Sequence, residues 1–169
     1  EPETRVFAGE LALDFYRATG PAEAPCVVVI HGGGWDGGDK GELAQLDHWL
    51  AGKGYAVAAI SYHLAPKFIW PAQRDDILAA IAFLKKNAVT LGIDATRLVL
   101  LGRSAGGQLA ESVGYGARDP AIRGVIALYA PADLVFAWNS PLGNDPLDSP
   151  KLMRQLLGGT PETVPAAFA

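Results

Sequence analysis

The stretch Leu98-Val-Leu-Leu101, followed at once by Gly102-Arg103-Ser104-Ala105-Gly106-Gly107, constrains this chain more than any other. An apolar run ends in Gly-x-Ser-x-Gly and passes directly into Gln108-Leu109-Ala110, which is the pattern of a strand, a sharp turn and a helix. Glycines at 102 and 106 leave room for a strained backbone at Ser104. The Ser104 hydroxyl is thereby lifted clear of the sheet and set beside a helix N-terminus, so Ser104 is a candidate nucleophile. As an ordinary turn residue it would only cap the helix.

Around this turn, apolar runs alternate with helical stripes. Leu11, Leu13 and Phe15 alternate with Ala12, Asp14 and Tyr16, the pattern of a half-exposed edge strand. Gly20-Pro21-Ala-Glu-Ala-Pro25 is a turn, and Cys26–Ile30 is a short β-branched run of the kind buried on both faces of a parallel sheet. Leu43, Leu46 and Leu50 form a helical stripe that ends at Gly52 and Gly54, and Tyr55–Ile60 is the next buried strand. Pro71 suits a helix start, with Ile77, Ala80, Ile81, Leu84 and Ala88 on one face and Lys85 and Lys86 near the end. A helix from the Ser104 turn to about Tyr115 and a strand at Val125–Leu128 follow.

These elements predict a single α/β domain over residues 1–169: a doubly wound, mainly parallel sheet joined by right-handed crossovers. Beyond Ala130 the pattern changes, with Pro131, Pro141, Pro146, Pro150, Pro161 and Pro165 dividing short apolar pieces. Leu152–Leu157 is long enough for two helical turns, and residues 131–169 are expected to begin a cap or lid.

Half of the residues are apolar, and the net charge of −4 is spread without blocks, which excludes a nucleic-acid surface or a polybasic membrane patch. A lone Cys26 excludes an intrachain disulfide framework and a cysteine metal cluster. No metal or other cofactor is expected. No apolar run reaches the roughly 18 residues needed to span a bilayer. The first residue is Glu1, so a removed leader or anchor stays open beside a cytoplasmic location.

Acyl transfer needs a nucleophile, a base, a group to orient the base, and donors for the developing oxyanion. Ser104 supplies the first. Donors come from the backbone N–H of Ala105 and from the Gly-rich loop His31-Gly32-Gly33-Gly34-Trp35, which leaves the strand ending at Ile30. Both loops emerge at the carboxyl ends of parallel strands, where ligands bind.

The pair His31-Gly-Gly-Gly-Trp35 and Gly102-Arg-Ser-Ala-Gly-Gly107 resembles the α/β-hydrolase superfamily, in particular its hormone-sensitive-lipase-like and feruloyl-esterase-like carboxylesterases. Tyr62-His-Leu-Ala-Pro66, followed by Pro71-Ala72, resembles that family's Tyr-Arg-Leu-Ala-Pro segment with His63 in place of Arg, and Leu156-Leu-Gly-Gly159 resembles the approach to its cap. The resemblance implies Ser104 as nucleophile, an oxyanion hole at Gly33, Gly34 and Ala105, and Trp35 and His63 lining the substrate pocket. A small carboxylic ester is the implied substrate.

The family order is Ser, then Asp or Glu, then His, yet no histidine follows Ser104. His31 belongs to the oxyanion loop with a structural hydrogen-bonding role, His48 lies beside a helical stripe, and His63 stands at an arginine position. Asp133 is a displaced acid or, more simply, a capping carboxylate. The triad is therefore expected to be incomplete within these residues, and the chain alone inactive. If the family order holds, the strand at Val125–Leu128 is an open edge, expected to be covered by a missing C-terminal portion or by a second copy. Two other readings remain: a non-catalytic hydrolase-like binding protein, and a dinucleotide-binding module through Gly32-x-Gly34-x-x-Gly37.

Overall fold

Valine, isoleucine and alanine in unbroken runs favour strands that are covered on both sides. Such strands form the centre of the protein. In a computed structural model describing residues 1–20, 22–140 and 145–168, they are β3 (Ala24–Ile30), β4 (Ala56–Ile60) and β5 (Ile93–Arg103). The hairpin β1 (Glu3–Ala8) and β2 (Leu11–Tyr16) and the strand β6 (Ile122–Leu128) complete a six-stranded sheet of order β1-β2-β4-β3-β5-β6. β4, β3, β5 and β6 run parallel, while β2 joins β4 and β1 antiparallel. The expected mainly parallel α/β sheet is what the chain forms. Pro21, Pro141 and Ala169 lie outside the described residues.

Side chains alternate between two cores, as the two-residue period of a strand requires. Cys26, Val28 and Ile30 of β3 join one cluster with Ala56, Ala58 and Ile60 of β4. Val27, Val29, Val57 and Ala59 join the other. The larger cluster is covered by α2 (Ala72–Lys86), α3 (Ala88–Leu91) and α4 (Ala105–Gly116), with α6 (Ser149–Leu157) and α7 (Pro165–Phe168) beyond. The smaller cluster rests on α1 (Ala44–Gly52) alone.

Three expectations need correction. Leu11–Tyr16 is not an edge: β2 pairs through Leu13 with Arg5 on one side and Ile60 on the other, and the edge falls to β1. The exposed pattern Glu3-Thr4-Arg5 suits an outer strand and left no strong periodic signal. Ala88 does not continue the long helix, because the Asn87 side-chain amide donates to Phe83 O and α3 starts afresh. The strand expected at Leu98–Leu101 extends from Ile93 to Arg103.

At the opposite edge β6 pairs only with β5 among the described residues, and its Ile126 and Leu128 stand 45% and 41% exposed. After β6 the chain forms α5 (Leu134–Asn139), α6 and α7. α6 folds back over the sheet's carboxyl end, where Trp70 N–H donates to Leu156 O at 2.7 Å.

Candidate active site

The turn between β5 and α4 is set by backbone crowding. A Cβ at Gly102 would run into the carbonyl of Gly106, and one at Gly106 into the carbonyls of Ile30 and His31. Only hydrogen fits at either position, so the turn closes tightly against the end of β3. Ser104 occupies φ +51°, ψ −123°, a conformation costing about 1–3 kcal/mol that persists because its surroundings over-determine it. The Ser104 N–H donates to Leu128 O at 2.8 Å, fixing the turn to the end of β6. Its hydroxyl stands at the first turn of α4, and among the described residues no histidine is hydrogen-bonded to it.

The loop after β3 meets this turn. A Cβ at Gly32 would stand 3.5 Å from Ser104 Cβ, so the two segments are in contact. Gly33 and Gly34 take φ of +90° and +59°, and the N–H groups of Asp36 and Gly37 close a turn onto Gly33 O. Among the described residues the N–H groups of Gly33, Gly34 and Ala105 donate to no backbone carbonyl outside regular elements. The loop folds back on itself and α1 begins only at Ala44. A dinucleotide fingerprint would instead open directly into a helix.

Two buried aromatic residues hold the loop from behind. His31, 2% exposed, stacks on Tyr62 with ring centroids 4.1 Å apart, and the Tyr62 hydroxyl donates towards His31 O and Gly32 O at 3.2 Å each. Burial lowers the His31 pKa, so the ring is neutral at physiological pH, and its Nδ1 lies 2.9 Å from Gly32 O. The indole N–H of Trp35 donates to Gln108 on α4 at 3.1 Å, and Trp35 O accepts from Ala65 N–H at 2.9 Å. Trp35 thus ties three segments together while presenting its ring to the site.

A partly open cavity of about 250 Å³ adjoins Ser104 and Ala105, walled by Trp35, Tyr129, Leu147, Leu152 and Met153. A larger one of about 470 Å³, lined by Trp70, Gln108, Asp133 and Phe168, does not reach Ser104. The smaller cavity is therefore the one aligned with the candidate chemistry. Its roof is α6: a Cβ at Gly34 would lie 2.7 Å from Leu152 Cδ1.

With this geometry established, the family model described as BD-FAE matches residues 13–169. The chain belongs to the BD-FAE family. Its α/β-hydrolase fold superposes on a hyperthermophilic esterase from the archaeon Pyrobaculum calidifontis with a TM-score of 0.85 and 25% identity, covering 100% of this chain and 59% of that one. It also superposes on a bacterial heroin esterase, with a TM-score of 0.75 and 27% identity over 92% of this chain and 53% of that one. In sequence it is 38% identical over 97 residues to carboxylesterase NlhH of Mycobacterium tuberculosis, which is 56% of this chain and 30% of the relative. The chain thus spans about a third of that relative's length.

Within this BD-FAE chain the residues expected at the site divide. Ser104, Ala105 and Trp35 wall the small cavity, and Gly33 and Gly34 form the adjoining loop. His63 does not line it. Its Nδ1 pairs with Asp76 at 3.0 Å, its backbone N–H donates to the same carboxylate at 2.8 Å, and its ring lies against Phe68. These contacts turn His63 into a brace between the loop after β4 and α2. His48 is exposed on α1, edge-on to Tyr16. Asp133 caps α5, accepting from Phe136 N–H at 2.7 Å. Sequence reasoning missed Tyr129 and Leu147, which lie in irregular segments, and Leu152 and Met153 of α6, whose helical stripe gives no sign of which cavity it faces. Among the described residues no helix is long and apolar enough to cross a membrane, and no cluster of metal-ligating side chains is present.

Proposed function

We propose that the protein is a serine hydrolase of small carboxylic esters, acting through an acyl-enzyme on Ser104. The observation that carries this reading is Ser104 itself, held at φ +51° beside a cavity, with donor-bearing backbone on two sides. In the proposed reaction Ser104 Oγ attacks the ester carbonyl carbon while its proton passes to a base. The N–H groups of Gly33, Gly34 and Ala105 stabilise the oxyanion of the tetrahedral intermediate. Collapse expels the alcohol, which recovers the proton, and water then releases the acid from Ser104. The esterase and carboxylesterase names of the relatives favour the same chemistry.

The base is proposed to lie outside the described residues, because His31 is buried against Tyr62 and His63 is engaged by Asp76. Residues 131–168 are proposed to begin the cap, since α6 roofs the cavity. The apolar edge at β6 is proposed to receive a further strand of the same polypeptide, the relatives being longer than this chain. A cavity of about 250 Å³ lies just below the usual range for drug-sized ligands and favours short acyl groups.

The test uses p-nitrophenyl acetate. In the natural full-length protein, Ser104→Ala should reduce kcat by at least about 10³-fold. The 169-residue chain by itself should hydrolyse the ester no faster than its own Ser104→Ala variant. A full-length Ser104→Ala protein that keeps its rate would overturn the reading. Among the described residues no base is partnered with Ser104, which favours one alternative, a hydrolase-like protein that binds esters without turnover; a full-length protein that binds but never hydrolyses would establish it.

A further inference from the structure

Arg103 lies immediately before the candidate nucleophile, and its side chain meets the two loops that flank it. The guanidinium Nη2 donates to Glu42 Oε2, 61 positions earlier in the chain. The Arg103 stem lies along the Gly-rich loop, where a Cβ at Gly32 would stand 3.6 Å from Arg103 Cγ and 3.1 Å from Arg103 O. Glu42 in turn lies behind that loop, its Oε1 2.5 Å from where a Cβ on Gly38 would be. On the other side Tyr129, at φ +43° after β6, walls the cavity at Ser104.

The geometry points to Arg103 as a positioning residue, fastening the oxyanion loop through Glu42 to the turn that carries Ser104. This inference rests on reading Ser104 as the nucleophile. The physical need is specific: the loop from Gly32 to Gly38 is rich in glycine and costly in entropy to order, and its internal bonds close one turn at Gly33 O. Oxyanion donors displaced by about 1 Å can cost on the order of 10²-fold in rate. The Arg103 and Glu42 side chains are 31% and 25% exposed, and an ion pair that open to water contributes little to global stability. A positioning role therefore predicts a large kinetic effect with a small thermal one.

The experiment uses the natural full-length protein with Arg103→Gln, Glu42→Gln, the double variant and Arg103→Lys. For each, kcat and KM are measured with p-nitrophenyl acetate, together with Tm and the inhibition constant of phenylboronic acid, whose serine adduct mimics the tetrahedral oxyanion. The expected result is a fall in kcat of about 10- to 100-fold in either Gln variant, with KM within about twofold. The boronic acid constant should rise in parallel, the double variant should be no worse than Arg103→Gln, and Arg103→Lys should recover part of the loss. Tm should move by no more than about 2 °C. Rates and inhibition constants within twofold of wild type would overturn the inference, as would a loss that vanishes once rates are corrected for folded fraction. Either outcome, with Ser104→Ala inactive, leaves the esterase reading standing. An active Ser104→Ala protein removes that reading and this inference with it.

Discussion

The two faces of the sheet treat buried polar groups differently. On the face covered by α2 and α4, Gln73 is fully buried, yet its amide donates to His63 O at 3.0 Å and Phe68 O at 2.8 Å. It pins the loop that braces the site, and at the sheet's rim His31 does the same for the Gly-rich loop after β3. On the other face the single helix α1 buries Asp47, at 0% exposure, with neither carboxyl oxygen hydrogen-bonded. Gln73 and His31 each leave one polar atom without a protein partner, Oε1 and Nε2, yet their other polar atoms hold backbone in place. Where polarity is buried far from the site it is a liability, tolerable because the larger face carries most of the core.

The strongest way to break this contrast is to strike the site face where its backbone is tightest. Gly106→Ala places a methyl against the backbone carbonyls of Ile30, at the end of β3, and of His31 just after it, which cannot swing aside as a side chain can. Overpacking usually costs about 1–3 kcal/mol when neighbours can relax. Here the cost should exceed that range and leave little folded protein, measured by urea denaturation. A Gly106→Ala protein of near-native stability would show that the turn is not closed by backbone crowding.

The thin face is sharpened by pH. Burial first, and the nearby Asp14 carboxylate second, push the Asp47 pKa up to about 7. Lys40 offers no relief, since its ammonium lies 3.3 Å from Asp14 instead. Tyr16 on β2 also feels the Asp47 charge, its own pKa raised by burial and then by Asp47. The folded value stands above the ordinary carboxylate value near 4, so the folded state holds its proton where the unfolded chain has lost it. The stability this one carboxyl contributes is thus fullest below pH 4, is lost as pH rises to about 7, and is flat beyond, a span on the order of 4 kcal/mol. Asp47→Asn should remove that slope between pH 4 and 7 while leaving the rest of the profile, as read by thermal melts across pH. An unchanged slope would place the titration elsewhere.

Legibility follows the same division. The central strands could be read because burial on both faces demands unbroken apolar runs, and the Ser104 turn because steric closure demands glycine at two fixed positions. β1 escaped because an outer strand such as Glu3–Ala8 has only one face to satisfy. His63 lies outside the cavity lining for a physical reason: its position in the motif marks the loop after β4, but its partner Asp76 lies 13 residues on, and their pairing holds it as a brace there. Contacts such as Arg103 with Glu42, or Leu152 over Gly34, join segments far apart in sequence and leave no local periodicity to detect.

The smallest expected effect lies at the edge of the site face, where Asp133 could be either an acid displaced from a triad or a helix cap. It accepts from Phe136 N–H at 2.7 Å and starts α5, a helix of only six residues. Its carboxylate borders the larger cavity, which Ser104 does not share. A cap of this kind contributes about 1 kcal/mol, which in a protein of this size shifts Tm by about 2–4 °C. Asp133→Ala in the natural full-length protein should therefore melt a few degrees lower while keeping kcat/KM within about twofold, since the capped helix borders the cavity at Ser104 without supplying a donor to Ser104. Asp133→Asn, which keeps an acceptor for Phe136 N–H, should recover most of the lost Tm. The opposite pattern, a collapse of kcat at unchanged Tm, would move Asp133 from the scaffold into the chemistry.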